Sequence, residues 1–119
     1  LRDVYKRQVY LRWIFDVALA HWNGSAPDDM KATYGWVATR HEIDYRREAV
    51  LGDEIIARTW IGAVDSRRFE RHTEIVRGQD DHVLARARSL WTLIARDTGR
   101  ITRIPPHMVE LFSAYMHPV

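Results

Sequence analysis

Residues 9–22, VYLRWIFDVALAHW, place apolar side chains at nearly every helical position, and only Arg12, Asp16 and His21 interrupt them. A surface helix would show one polar face. A helix this apolar most of the way round is expected to be buried on several sides. Asn23-Gly24 predicts its end, with Gly24 free to take the left-handed conformation after the last turn. Its start is poorly dressed, because none of the Ser, Thr, Asp or Asn residues that satisfy a helix's first N–H groups stands at the join between Gln8 and Val9. The preceding stretch, LRDVYKRQ (1–8), runs into the helix without a turn signal, and residues 9–119 are expected to form a single domain.

Beyond SAPDD (25–29), which reads as loop, the period changes from helical to two. VATRHEIDYRR (37–47) alternates Val37, Thr39, His41, Ile43 and Tyr45 against Ala38, Arg40, Glu42, Asp44 and Arg46. EIIARTWIGAV (54–64) sets Ile55, Ala57 and Ile61 against Ile56 and Trp60. RRFERHTEIV (67–76) follows the turn residues Asp65-Ser66. HVLARARSLWTLIAR (82–96) follows RGQDD and puts Val83, Ala85, Ala87, Ser89, Trp91 and Leu93 on one face. Four such segments separated by turn residues predict an antiparallel meander. IPPHMVELFSAYM (104–116) opens on proline and predicts a short C-terminal helix.

A single sheet must bury its apolar face, and the first helix is the only large apolar element available to cover it. The expected architecture is α+β, a curved antiparallel sheet wrapped around a central buried helix, plus a short C-terminal helix. Open edges and an uncovered outer face predict a dimer.

The totals bound the rest. A chain of 119 residues suits one domain with a real core. It contains no cysteine, which excludes disulfides, thiolate metal sites and a cysteine nucleophile. No apolar run approaches the ~18 residues of a membrane span, and no signal peptide precedes the first helix, so a cytoplasmic location is expected. Sixteen arginines stand against two lysines, but they are scattered, so no nucleic-acid partner is expected. His21, His41, His72, His82, His107 and His117 show neither HxH nor HxxxH spacing, so no metal site is expected. No serine sits in a Gly-x-Ser-x-Gly elbow. His41 and Glu42 are neighbours on a strand and face opposite ways, which argues against a His–carboxylate dyad.

With these elements in place, the chain resembles the hotdog-fold acyl-CoA thioesterases of the 4-hydroxybenzoyl-CoA thioesterase type. The resemblance spans roughly residues 9–112. It rests on VYLRWIFDVALAHW as the central helix, HEIDYRREAVLGDEI with its Gly-Asp loop, SRRFERHTEI, and LARARSLWTLIARDTGRITRIPP with its Asp-x-x-x-Gly-Arg turn and Ile-Pro. That family reads Asp, three residues, Gly-His-Val-Asn-Asn, two residues, then Tyr-Leu-Arg-Trp. Tyr10, Leu11, Arg12 and Trp13 match directly, whereas the Asn pair falls on Lys6 and Arg7, the His on Val4 and the Gly on Asp3. The family's catalytic Asp falls before Leu1, and because residues 1–8 fail the family pattern that the rest of the chain fits, the resemblance implies that LRDVYKRQ (1–8) is a non-native leader.

The resemblance implies hydrolysis of an acyl-CoA or acyl-carrier-protein thioester to free acid and thiol, in a homodimer or homotetramer. A carboxylate acts as base or nucleophile, and backbone N–H groups at a helix N-terminus polarise the carbonyl. No cofactor is implied, coenzyme A being part of the substrate. The alternative is a non-catalytic hotdog domain that binds acyl-CoA or a protein partner. Within the chain, Asp3 and Asp16 are the candidate catalytic carboxylates, Asp16 being equally suited to pairing with Arg12 one turn away. Tyr10, Trp13, Arg67 and Arg68 are the candidate substrate-binding residues, the two arginines as forks for coenzyme A phosphates. Arg100 and Arg103 are a second such pair, Arg86 and Arg88 are expected on a polar outer face, and Trp13, Trp60 and Trp91 in the core or lining an acyl pocket.

Overall fold

The computed structural model describes the backbone of residues 2–113 and the side chains of residues 8–112. The side chain of Asp3, and His117, lie outside the described residues. The chain forms α1 (Arg2–Ser25), α2 (Asp28–Thr33), β1 (Tyr34–Tyr45), β2 (Ile55–Val64), β3 (Arg68–Arg77), β4 (His82–Ala95) and α3 (Pro106–Ser113).

The helix expected from Val9 to Trp22 is longer at both ends. Arg2–Gln8 contain neither glycine nor proline and include Arg, Lys and Gln, all good helix formers, so α1 continues through them with no break at Gln8–Val9. At the other end Gly24 stays helical and takes no left-handed conformation. The segment read as loop holds α2. Pro27 caps it at φ −61° and ψ 154°, Asp28 and Asp29 sit in the first turn where the helix dipole favours them, and Met30 is buried.

The sheet is antiparallel in the order β1-β4-β3-β2. The expected meander therefore covers β2, β3 and β4, while β1 pairs with β4 on the far side. The physical reason lies in the connections. Short turns join β2 to β3 and β3 to β4, whereas residues 46–54 separate β1 from β2, too long for a tight hairpin.

Bulges in β1, β2 (between Ile61 and Val64) and β4 change which residues face inward. Ala38 pairs with Trp91 and Arg40 with Leu90, leaving Thr39 as the extra residue. The phase expected for β1 consequently fails upstream of Thr39: Trp36 packs against the core and Val37 is exposed. On β4 the extra residue is Leu84, fully buried, whose carbonyl accepts from both Arg46 N–H (2.8 Å) and Arg47 N–H (3.0 Å).

The inner face of the sheet carries two apolar clusters. One joins Ile61, Phe69 and Leu93 to Met30, Ile104, Met108 and Phe112; the other joins Tyr10 and Ile14 to Ile75, Leu84, Ala85 and Ala87. Helix α1 buries one stripe, Tyr10, Ile14 and Ala18, rather than several sides, while Arg12 and Asp16 are exposed and Leu19 is 59% exposed. The outer face is a ladder of ion pairs, as Arg86 and Arg88 foretold: Arg86 to Glu74 at 2.7 Å, and Arg88 to Glu70 at 2.6 Å and Glu42 at 3.5 Å. Trp60 is also on this face, stacked on His72 with ring centroids 5.5 Å apart, so the expectation that it lines a pocket is corrected by strand phase.

Candidate functional site

Phe15, Ala18, Leu19 and Trp22 are spaced i, i+3, i+4 and i+7 along α1, a stripe that meets the buried one at Ala18. Opposite them, inward alternation on β3 presents Phe69 and Arg71, while β1 supplies Trp36 and β4 supplies Trp91. With Arg96 and Phe112, these side chains line a half-open cavity of about 240 Å3. Its aromatic walls interlock. Trp36 meets Phe69 edge-on at 4.7 Å and Trp22 at 5.9 Å, Phe69 lies 4.9 Å from Phe112, and Phe15 meets Trp91 at 5.9 Å.

Arg71 is the exception among these walls. It is only 4% exposed, yet no carboxylate pairs with it among the described residues. Its Nη1 donates to His21 Nδ1 at 2.8 Å and to Thr59 Oγ1 at 2.9 Å, and its guanidinium carbon lies 5.5 Å from the Phe69 ring centre. Burial lowers its pKa to about 10, so it remains a cation at neutral pH. Because an arginine only donates, His21 accepts through Nδ1 and is neutral. Burial, with the Arg71 charge second, holds the His21 pKa below the usual histidine value. Burial does the same to His41, whose Nδ1 lies 2.8 Å from Ser89 Oγ. No carboxylate orients the His41 ring among the described residues, so the serine–histidine contact is not extended into a triad.

Both histidines are protonated in the unfolded chain below pH ~6.5 but resist protonation when folded. Their contribution to stability is full above that pH and is lost as pH falls toward the depressed folded values. The denaturant midpoint is expected to drop between pH 7.5 and 5.5, a window in which carboxylates do not titrate. His21→Gln, which keeps an acceptor for Arg71 without titrating, is expected to make the drop shallower. Midpoints identical at the two pH values would contradict the assignment.

The remaining candidates are dispersed. Tyr10 is buried away from the cavity, its hydroxyl bonded to the connection after β1. Trp13 and Asp16 border a separate open groove with Val17, Ile55 and Ala57, and no ion pair joins Asp16 to Arg12 among the described residues. Arg67 and Arg68 are exposed at the β2–β3 turn, where their backbone N–H groups donate to Asp65 Oδ1. Arg100 and Arg103 are exposed after β4. Of the tryptophans singled out from sequence, Trp91 alone lines the aromatic cavity. Arg71, Trp22, Trp36 and Phe69 were missed. The signal was present in RRFERHTEIV, where Phe69, Arg71, Thr73 and Ile75 share one phase and place an arginine on the apolar face.

Comparison with known proteins gives a consistent answer. The thioesterase-like superfamily profile matches residues 5–112. A palmitoyl-acyl carrier protein thioesterase of Gossypium hirsutum is 27% identical over 99 residues, 81% of this chain but 24% of that protein. The chain thus spans about a quarter of the length of such relatives. Among solved structures, a thioesterase superfamily protein from Jannaschia sp. superimposes with a TM-score of 0.81 at 14% identity, covering 91% of this chain and 78% of that one. A Thermus thermophilus thioesterase complexed with coenzyme A and Zn gives 0.78 at 18% identity, covering 94% and 81%. These likenesses establish the hotdog fold, and with the profile match over nearly the whole chain, the protein belongs to the thioesterase-like superfamily.

Proposed function

We propose that this domain hydrolyses an acyl thioester, carried by coenzyme A or an acyl carrier protein, to free acid and thiol. The observation that carries this reading is the superfamily match over residues 5–112. The apolar cavity beside α1 supports it, because an acyl chain placed there gains about 25 cal/mol for each Å2 of apolar surface removed from water. Coenzyme A enters as part of the substrate, with Arg67 and Arg68 proposed to meet its phosphates. Arg68 would then exchange its 3.5 Å contact with Asp65 for a phosphate oxygen. The family places its base ahead of the central helix, before Leu1; within residues 1–119 the candidates are Asp16, exposed in the groove beside Trp13, and Asp3. A homodimer or homotetramer belongs to the same proposal, since Leu19 and Val37 are apolar, exposed and available to a second copy.

The test is release of free thiol from palmitoyl-, lauroyl- and benzoyl-CoA and from palmitoyl-acyl carrier protein, followed with a thiol-specific dye. Release above the uncatalysed rate is expected. If it vanishes in Asp16→Asn while binding is retained, Asp16 is the base; if it persists, Asp16 is excluded and Asp3 is the next carboxylate to replace. Saturable acyl-CoA binding with no thiol released from any of the four would replace the hydrolase with a non-catalytic binding domain.

A further inference from the structure

The cavity is rich in donors and poor in acceptors. Among the described residues, the buried side-chain nitrogens without a hydrogen-bond partner are Trp36 Nε1, Trp91 Nε1 and Arg71 Nε, and all three belong to residues that line this one cavity. All three are donors only, so the group that complements them is an acceptor. Arg71 adds a full charge, and two of its five N–H donors are used by His21 and Thr59. A buried cation without a counter-ion is costly, and an anion brought beside it offsets that cost. The rest of the lining is aromatic or aliphatic apart from Arg96, whose Nε already donates to the Lys31 and Tyr34 carbonyls at 2.8 and 2.9 Å. A cavity of about 150 Å3 is enough to take benzene, so about 240 Å3 accommodates one ring or a short chain together with a small polar head.

We propose that the cavity beside α1 is a binding site for a carboxylate carried on a compact apolar body, with the Arg71 guanidinium as its fork and the Trp22, Trp36, Phe69, Trp91 and Phe112 rings around the body. A phosphate ester fits less well, because it brings a larger, doubly charged head into a lining that is aromatic or aliphatic apart from Arg71 and Arg96. The carboxylate has two sources. It is either a free acid, or the far end of an acyl chain that carries a second acid group. The second source rests on the thioester reading above; the first stands without it.

Trp22, Trp36 and Trp91 make tryptophan fluorescence the readout. The intact chain is titrated with 3-phenylpropionate and, separately, with the neutral 3-phenylpropan-1-ol. The acid is expected to bind at least tenfold more tightly. Arg71→Met is expected to abolish that preference, and Arg71→Lys to keep part of it, because a lysine retains the charge but loses the fork. Circular dichroism establishes that each variant is folded, and the acid–alcohol comparison on the unaltered protein needs no variant. Glutaryl- and butyryl-pantetheine separate the sources: a tenfold preference for the glutaryl thioester assigns the anion to the far end of an acyl chain, and equal binding assigns it to a free acid. Equal affinity for 3-phenylpropionate and its alcohol, or a folded Arg71→Met that keeps the preference, overturns the proposal. None of these readings requires turnover, so a failure of thiol release leaves the carboxylate result intact.

Discussion

Leu93→Ala is expected to destabilise the domain by about 2–5 kcal/mol, read as a lower urea midpoint at unchanged slope. Leu93 is 0% exposed and sits where β4 meets Ile61, Phe69, Met108 and Phe112. Its backbone is held on both sides: its N–H donates to Arg67 O and its carbonyl accepts from Thr102 N–H. The strand cannot shift to fill the space left by the truncation, so the upper half of the range is favoured. For a domain of this size such a loss lowers Tm by on the order of 10 °C. Leu84→Ala, equally buried but in the other cluster, is the comparison. Both variants are expected to lose similar stability. Only Leu93→Ala is expected to shift the native tryptophan emission strongly, because Trp22, Trp36 and Trp91 pack against its cluster and only Trp13 against the other. A Leu93→Ala protein with an unchanged midpoint would show that the site collapses freely and that the cluster is not the core it appears in the contacts.

What the sequence revealed of this molecule follows from periodicity. Segments 54–64, 67–76 and 82–96 lie within a residue of β2, β3 and β4, because each is bounded by turn residues and repeats at period two. Their order in the sheet was legible only in part. Nothing in VATRHEIDYRR says that β1 pairs with β4 across the sheet, since strand pairing between distant segments is decided by which edge remains free. The bulge at Thr39 was equally invisible: an inserted residue leaves local alternation intact on either side and shifts the phase between them. That single shift moved Trp36 into the cavity wall and Val37 out to solvent. Gly24 failed as a stop because permission to take positive φ is no obligation, and Pro27 three residues on ends the element instead.

The arginines show the same division between local and assembled information. Arg67, Arg68, Arg86 and Arg88 attracted notice as adjacent or alternating pairs. In the structure they are surface residues, with Arg68, Arg86 and Arg88 paired to nearby carboxylates, whereas Arg71 is buried and has no carboxylate partner among the described residues. A surface ion pair contributes about 0–1 kcal/mol and must open before its arginine meets another anion, whereas a desolvated guanidinium with donors to spare keeps its full attraction for one. Pairing in sequence is therefore a poor guide to which arginine is available. Strand phase is a better one, since it alone sets Arg71 among the phenylalanines and tryptophans.

Tyr10→Phe separates two roles for a residue carried over from the family as a substrate contact, and a loss of about 1–3 kcal/mol is expected. The Tyr10 hydroxyl donates to Arg47 O at 2.8 Å and accepts from Ala49 N–H at 2.7 Å, so it ties α1 to the connection between β1 and β2. Burial raises its pKa, outweighing the opposing bond from Ala49, and the phenol is protonated throughout the neutral range, as donation to a carbonyl requires. Phenylalanine keeps the stack on Tyr45 at 5.9 Å and the tilted contact with Trp13 at 5.5 Å, so ring packing is unchanged. What is lost is both hydrogen bonds, and with them the partners of the Arg47 carbonyl and the Ala49 amide. The signature of a clamp is faster amide exchange at residues 47–50, a lower urea midpoint, and carboxylate binding in the aromatic cavity left unaltered. The signature of a substrate contact is the reverse: a raised KM for the thioester with midpoint and exchange unchanged. Because the hydroxyl's donor and acceptor are both satisfied within the chain, the first pattern is expected, and the second would return Tyr10 to the site.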